Sequence, residues 1–207
     1  MYTPPAFKEE TLSVLHAIIE AASLSTFVNA TAEGLLATPL PLLLDRDEGP
    51  YGTLYGHLAR ANPQGTTAPI GAAMATFMGP DAYVTPSWYA SKREHGKVVP
   101  TWNYSAVHAY GEVEFFTDED RLLDVVTRLT NRHEAARAEP WQVSDAPPAF
   151  VKAQLRGIIG LRLPIDRLDG KRKFSQNRSI EDRQGVAAGL AASARPEDRL
   201  VSGEIPV

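Results

Sequence analysis

The sequence predicts a mainly β, α+β protein: an antiparallel barrel with helices at its periphery. Three observations carry that prediction. Short β-rich runs follow one another through turns instead of alternating with helices. Helical periodicity is confined to a few segments. No GxGxxG fingerprint follows a strand, and there is no P-loop or GxSxG elbow, so the common parallel α/β nucleotide and hydrolase folds leave no signature.

Elements follow in order. Phe7 to Ala22 reads as a helix, with Leu12, Leu15, Ile18, Ile19 and Ala22 at helical spacing and Glu9 and Glu10 near its positive end. His16 falls off that stripe and is expected at the surface. TFVNA suits a strand, Glu33-Gly34 a turn, and LLATPLPLLLD a second extended run. Pro39 and Pro41 lack ladder donors, so that run is expected at a sheet edge. Asp47-Glu48-Gly49 closes a hairpin and YGTLYGH returns. AAMATFMG suits a strand, although its Ala and Met content suits a helix as well.

Gly79 to Phe116 holds Trp88, Trp102, Tyr83, Tyr89, Tyr104 and Tyr110. AYVTP is β-rich, ASKREHGK reads as a polar loop, and VHAYGEVEFF alternates with a period of two. Strand aromatics are ordinarily core residues. Their polar tips beside Ser87, Thr101 and Asn103 also suit a wall for a flat polar ring. Thr117 is the expected cap of a helix running to about His133, with Asp118, Glu119 and Asp120 in its first turn. Ser144 to Pro148 opens another helix, with Phe150, Val151, Leu155 and Ile158 as its apolar face. GLRLPID returns as a strand. GKRKFSQNR reads as a basic loop, and a helix weakened by Gly185 and Gly189 follows Ser179. One domain over residues 1–190 is expected, with 191–207 as a poorly ordered or partner-bound tail.

Composition narrows the functions. The 207 residues are 43% hydrophobic and 22% charged, ordinary for a globular domain able to bury its own core. Cysteine is absent, which excludes a disulfide scaffold, an Fe–S site and Cys-ligated zinc. His133-Glu134 has no second histidine at metal spacing, so no metal site is expected. The N-terminus lacks a basic and then apolar leader, and runs such as LLATPLPLLL are short and proline-broken. A cytoplasmic protein without a membrane span is expected. A net charge of −4 argues against a dedicated nucleic-acid surface. DNA binding would need a local patch from Lys171, Arg172, Lys173 and Arg178.

Two constellations could carry chemistry. Arg60 and Asn62 sit just past a strand end, where a guanidinium and an amide can grip a phosphate. Lys173, Ser175 and Gln176 lie in a segment that could bind an anion and the amide-like edge of a ring. No general acid–base pair is visible.

With these stretches in hand, the chain resembles the FMN-binding negative transcriptional regulators of the PaiB type. The likeness runs through LPLLLD, GHLARANPQ, GPDAYVTPSWY, VPTWNYSAVHAYGEVEFF, GIIGLRLPIDRL and KFSQNR. The resemblance implies an FMN-binding split β-barrel of the pyridoxamine-phosphate-oxidase-like class, forming a homodimer with flavin at the subunit interface. It assigns the phosphate to His57, Arg60 and Asn62, and the ring to the strand Thr38, Pro39, Leu40 and Pro41. Ser87, Trp88, Trp102, Asn103, Lys173, Ser175 and Gln176, from either subunit, would complete the pocket. Two positions depart from the family pattern: Pro39 stands where histidine is common, and Gly65 where an aromatic is common. The functions implied are an FMN-loaded regulator, an FMN-dependent oxidoreductase acting on a small molecule, or a split barrel holding haem.

Overall fold

The computed structural model describes residues 1–207. Its strands are β1 (Lys8–Glu9), β2 (Ser25–Thr31), β3 (Gly34–Leu40), β4 (Leu43–Asp45), β5 (Thr53–Ala59), β6 (Ala73–Val84), β7 (Thr101–Gly111), β8 (Glu114–Phe116), β9 (Ile158–Pro164) and β10 (Arg167–Lys173). Its helices are α1 (Leu12–Ala21), α2 (Ser91–His95), α3 (Glu119–Glu134), α4 (Pro148–Leu155), α5 (Ile180–Ala191) and α6 (Pro196–Glu204). The chain divides into two units of interleaved segments. One comprises Met1–Ala21, Met78–Val107 and Asp169–Val207; the other comprises Ala22–Phe77 and His108–Leu168.

The second unit contains the β2–β3 hairpin and the antiparallel sheet β4-β5-β9-β8. β3 lies at a sheet edge, as its prolines require. The two-residue turn Ala32-Glu33 joins the pair Thr31↔Gly34, and Pro39 stands opposite Thr26. Hydrogen-bonded and open pairs alternate along an antiparallel ladder. If the turn closes on a bonded pair, Thr26↔Pro39 is an open one. The Thr26 carbonyl accordingly accepts from Thr76 of β6, at 3.5 Å. Pro39 thus sits where its missing N–H costs no ladder bond.

On one face of β5, Tyr55 packs against a buried cluster of Phe116, Leu122, Val125, Leu129 and Leu155. This cluster seats α3: of the apolar face the sequence predicts, Leu122, Leu123, Val125, Val126 and Leu129, the first, third and last are buried, Val126 is half-buried and Leu123 is 38% exposed. The cap of α3 is Asp118, one residue beyond the expected Thr117; its carboxylate accepts from the Arg121 N–H at 2.9 Å. Of the apolar face expected for α4, Leu155 is buried, but Phe150 is 55% exposed and Ile158 begins β9.

In the first unit the strand order is β1-β10-β7-β6. Ala82, Val84, Tyr89, Phe174, Val186, Leu190, Val201 and Ile205 share one core cluster. The expected tail is therefore structured: Val201 of α6 and Ile205 just after it are buried in that core. Several local expectations also change. α1 begins at Leu12, and His16 is buried at 4% exposure instead of lying at the surface. ASKREHGK contains the short helix α2, and GKRK continues β10 instead of forming a loop. VHAYGEVEFF breaks at Glu112-Val113 into the end of β7 and β8.

The glycines of α5 have a packing reason. A Cβ on Gly189 would lie 2.3 Å from the Trp88 ring, and one on Gly185 would lie 2.0 Å from the Trp88 carbonyl oxygen. Residues four apart share a helix face, so the pair forms a flat strip against which the Pro86–Trp88 turn rests.

Candidate functional site

The residues assigned by resemblance fall into two groups, one in each unit, and each group has its own geometry.

In the second unit, the end of β5 leads into the 3-10 turn Pro63–Gly65, capped by Asn62. Asn62 Oδ1 accepts from the Gln64 N–H at 2.9 Å, and its Nδ2 donates to Thr38 Oγ1 at 3.0 Å. Thr38 in turn donates to Gln64 Oε1 at 2.5 Å. Gln64 is 1% exposed, and its Nε2 faces the Phe27 carbonyl, Asn29 Oδ1 and the Leu36 carbonyl at 3.2, 2.7 and 3.1 Å. One amide therefore ties β2, β3 and the turn after β5 together. Sequence reading passed over Gln64, because a polar residue beside Pro63 and Gly65 reads as an ordinary loop residue. The signal was the cap: an asparagine followed by proline fixes a turn that carries Gln64 inward.

Thr38 and Asn62 are thus joined. On β3, Leu40 is buried, Pro41 is half-buried and Pro39 is exposed. The Arg60 side chain departs from this group. It is exposed, and its Nη2 donates to the Ile158 carbonyl at 3.2 Å. His57 stands opposite Gly160, where a Cβ would meet the Phe116 ring at 2.3 Å. Opposed residues in an antiparallel pair share a face, so His57 lies on the Phe116 side of the sheet. Its Nδ1 is buried without a partner, and burial pulls its pKa below the ordinary range. A neutral imidazole there is a packing group and a poor phosphate ligand.

His57 gives a signed pH dependence. Its folded pKa lies below the unfolded value of about 6.5, so the unfolded chain takes up the proton first as pH falls. The stability associated with neutral His57 is present above about pH 6.5 and is lost on acidification through the window below it. Urea melts at pH 7.5 and pH 5.5 are expected to show a smaller acid loss for His57→Gln than for the parent. An equal loss in both would exclude His57 as a source.

In the first unit, Asn103 is fully buried, and its Nδ2 donates to Ser175 Oγ at 3.1 Å. Ser175 is 3% exposed and holds a left-handed φ of 63°, which non-glycine residues rarely adopt. Gln176 spans the end of β10, accepting from the Phe174 N–H and donating to the Arg172 carbonyl, both at 2.7 Å. Asn103, Ser175 and Gln176 therefore shape this chain end. Trp88 is likewise occupied, lying against α5.

The outward groups are different ones. Trp102 and Tyr83 are 49% and 45% exposed and meet edge to face at 5.9 Å. Ser87 is exposed and accepts from Lys92 Nζ at 3.1 Å. Lys173 donates to Thr101 Oγ1 and to the Trp102 carbonyl. Partial burial, and then the Lys171 and Arg178 charges, lower the Lys173 pKa.

The basic cluster near the end of β10 is largely engaged within the unit. Lys171 is 8% exposed, donates to the Tyr2 carbonyl at 3.2 Å and lies over the Tyr104 ring at 5.2 Å. Arg172 pairs with Glu9 and Glu204. Arg178 lies over the Tyr89 ring at 4.7 Å.

Of the assigned residues, Pro39, Arg60, Ser87 and Trp102 are exposed, Leu40, Asn103 and Ser175 are buried, and the others are half-buried. Within the second unit the Arg60 guanidinium and the Asn62 amide are groups of the kind that bind a phosphate, and within the first unit Ser87, Lys173 and the Trp102 face are groups of the kind that bind a planar polar ring. No group of three or more His, Cys, Asp or Glu side chains is placed to hold a metal ion. No helix is long and apolar enough to cross a membrane.

The family model described as "Putative FMN-binding domain" matches residues 1–167. The Protease synthase and sporulation protein PAI 2 of Bacillus subtilis is 32% identical over 203 residues, covering 98% of this chain and 95% of that protein. The Uncharacterized protein AN0679 of Emericella nidulans is 34% identical, covering 92% and 90%. Among solved structures, the FAD and Heme binding protein from Mycobacterium smegmatis aligns with a TM-score of 0.59 at 15% identity, covering 88% of this chain and 80% of that one. The Flavocytochrome Anf3 from Azotobacter vinelandii aligns with a TM-score of 0.58 at 15% identity, covering 85% and 74%. At such identities these two structures speak for the fold alone, the antiparallel split-barrel class with peripheral helices. By the family match and the extent of the Bacillus likeness, the chain belongs to the PaiB-like FMN-binding family.

Proposed function

We propose that the protein is an FMN-binding flavoprotein of the PaiB type, with Arg60 gripping the flavin phosphate and the outer edge of β3 alongside the ring. The match to the FMN-binding family over residues 1–167 carries this reading. Arg60 supports it: it is exposed and its side chain makes a single hydrogen bond to a carbonyl, leaving further N–H groups for an anion. Pro39 at the strand edge presents an apolar ring surface without a donor. Asn62, Ser87, Trp102 and Lys173 are the other contact candidates. Thr38, Leu40, Asn103, Ser175 and Gln176 act by holding them in place.

Bound FMN would supply redox chemistry, and the protein would supply position and electrostatic tuning. A lowered-pKa ammonium such as Lys173 is suited to stabilise negative charge on a reduced ring. The assembly proposed is a homodimer with flavin at the subunit interface. The Bacillus relative is named for protease synthesis and sporulation, which supports a regulatory reading over a small-molecule oxidoreductase. Direct DNA reading through Lys171 and Arg172 is disfavoured, since one is buried and the other ion-paired.

Equilibrium titrations with FMN and riboflavin test the phosphate assignment. Arg60→Ala is expected to weaken FMN by about 1.5–3 kcal/mol, the range for a charge-assisted hydrogen bond, and riboflavin hardly at all. Equal losses for both ligands would remove Arg60 from the phosphate site.

A further inference from the structure

α3 presents two stripes with different fates. Leu122, Val125 and Leu129 are buried, while Glu119, Leu123, Thr127 and Asn131, spaced four apart, face a groove. The opposite wall comes from the Val143–Asp145 turn and α4, and the cavity volume is about 570 Å³. That lies within the range of drug-sized ligand sites. Val143, Val151 and Leu155 give the groove an apolar floor, and Leu123 leaves 38% of its surface open over it. From Glu119 to Asn131 the stripe is about 18 Å long at 1.5 Å per residue. An elongated aliphatic body matches that length and lining.

The ends differ in charge. At one end Asn131 and Gln142 are neutral amides. At the other, Lys152 pairs with Glu119 at 3.2 Å, with both side chains about half exposed. The cavity adjoining that end shares Glu119 and Leu155 and adds Arg60 and Arg156. Lys152 in the groove and Arg156 in the adjoining cavity, four residues apart on α4 and at its end, therefore flank this end beside one carboxylate, Glu119. An exposed pair such as Lys152–Glu119 is worth little, so a competing anion can exchange into it.

We propose that this groove binds a free amphiphilic anion, a medium-chain carboxylate, with its tail along the apolar floor and its head at Lys152 and Arg156. The occupant suits the charge asymmetry: a cationic amphiphile would meet the like charges of Lys152 and Arg156, and a tailless anion would leave the floor uncovered. Such a site lies apart from β3 and could make a flavoprotein responsive to a small acid.

Isothermal titration with sodium dodecanoate below its micelle concentration tests the proposal on the full chain. Saturable binding, one per chain, is expected. Lys152→Glu combined with Arg156→Glu should weaken it by about tenfold or more, equivalent to at least about 1.4 kcal/mol. Lys152→Gln with Arg156→Gln is the milder second variant, and circular dichroism checks that both are folded. Leu123→Asp should weaken dodecanoate independently of the head group. FMN affinity should remain unchanged in Leu123→Asp, since Leu123 lines the groove and not the cavity that holds Arg60, which separates this site from the flavin assignment. The proposal is overturned by no saturable binding, by equal affinity for dodecyltrimethylammonium, or by insensitivity to all three variants. Uptake only on anionic phospholipid vesicles, or a change of oligomeric state in Leu123→Asp, would likewise overturn it, marking a lipid surface or a protein interface instead.

Discussion

Replacing Gln64 with glutamate is expected to cost more stability than removing the side chain altogether. The substitution is nearly isosteric, so volume is not the issue. Gln64 Nε2 faces three oxygens, from Phe27, Asn29 and Leu36, within 3.2 Å. A carboxylate oxygen in its place would point negative charge at three acceptors in a site 1% exposed. Gln64→Ala deletes the amide and leaves Thr38 and Asn29 short of partners, a loss of about 3–5 kcal/mol at roughly 1–3 kcal/mol per orphaned group plus a cavity. Gln64→Glu adds the cost of a buried, uncompensated charge, itself about 3–5 kcal/mol, which approaches the whole stability of a typical domain. The sign with pH is also fixed. Burial raises the folded pKa of such a glutamate, so its penalty sets in as pH rises past the unfolded value of about 4.3, is full only above the folded pKa, and shrinks as pH falls. Urea denaturation of parent, Gln64→Ala and Gln64→Glu at pH 7 and pH 5 checks both order and direction. A Gln64→Glu protein as stable as the parent would show that the turn after β5 does not depend on this amide.

Gly185→Ala is the second large effect, and its sign opposes helix propensity. In an exposed helix interior, glycine to alanine gains about 1 kcal/mol. Here the new Cβ would lie 2.0 Å from the backbone oxygen of Trp88, and a backbone atom cannot rotate away. Either α5 or the Pro86–Trp88 turn must shift, at about 1–3 kcal/mol for overpacking. The melting temperature is expected to fall by several degrees, at roughly 2–4 °C per kcal/mol for a chain of this size. Gly203→Ala in α6 is the matched control. Nothing lies within 4 Å of a Cβ there, so that change should be neutral or stabilising. Two variants moving in the same direction would contradict the packing explanation.

These two residues mark the limit of what was legible in the chain. Information that is local, or that follows one periodicity, could be read directly. Pro39 placed β3 at an edge, and the stripe of Leu122, Leu123, Val125, Val126 and Leu129 gave the buried face of α3 except at Leu123, which is exposed. Residues whose meaning lies in distant partners could not be read that way. Gln64 reaches residues up to 37 positions away, and the glycines of α5 look like helix weakness until Trp88 is set against them. The same holds for Lys171: in GKRK it is one of a basic run, and only the β1–β10 pairing shows it shielded near Tyr2 and Tyr104.

The candidate site was legible in kind but not in roles. The family motifs located residues that cluster, such as Thr38 with Asn62 and Asn103 with Ser175. They did not separate contact groups from supports. His57 and Trp88 were assigned to the cofactor on motif position, whereas burial makes His57 a packing residue and α5 occupies Trp88. Arg60 and Pro39 are exposed and Lys173 is half-buried, and the proposed FMN contacts draw on them.

Fluorescence-quenching titration of FMN with the purified, flavin-free chain tests the central claim most directly. The account predicts saturable uptake, one FMN per chain, with riboflavin markedly weaker because Arg60 answers to the phosphate. No uptake at tens of micromolar FMN, a concentration at which even a weak cofactor site would fill, would contradict it.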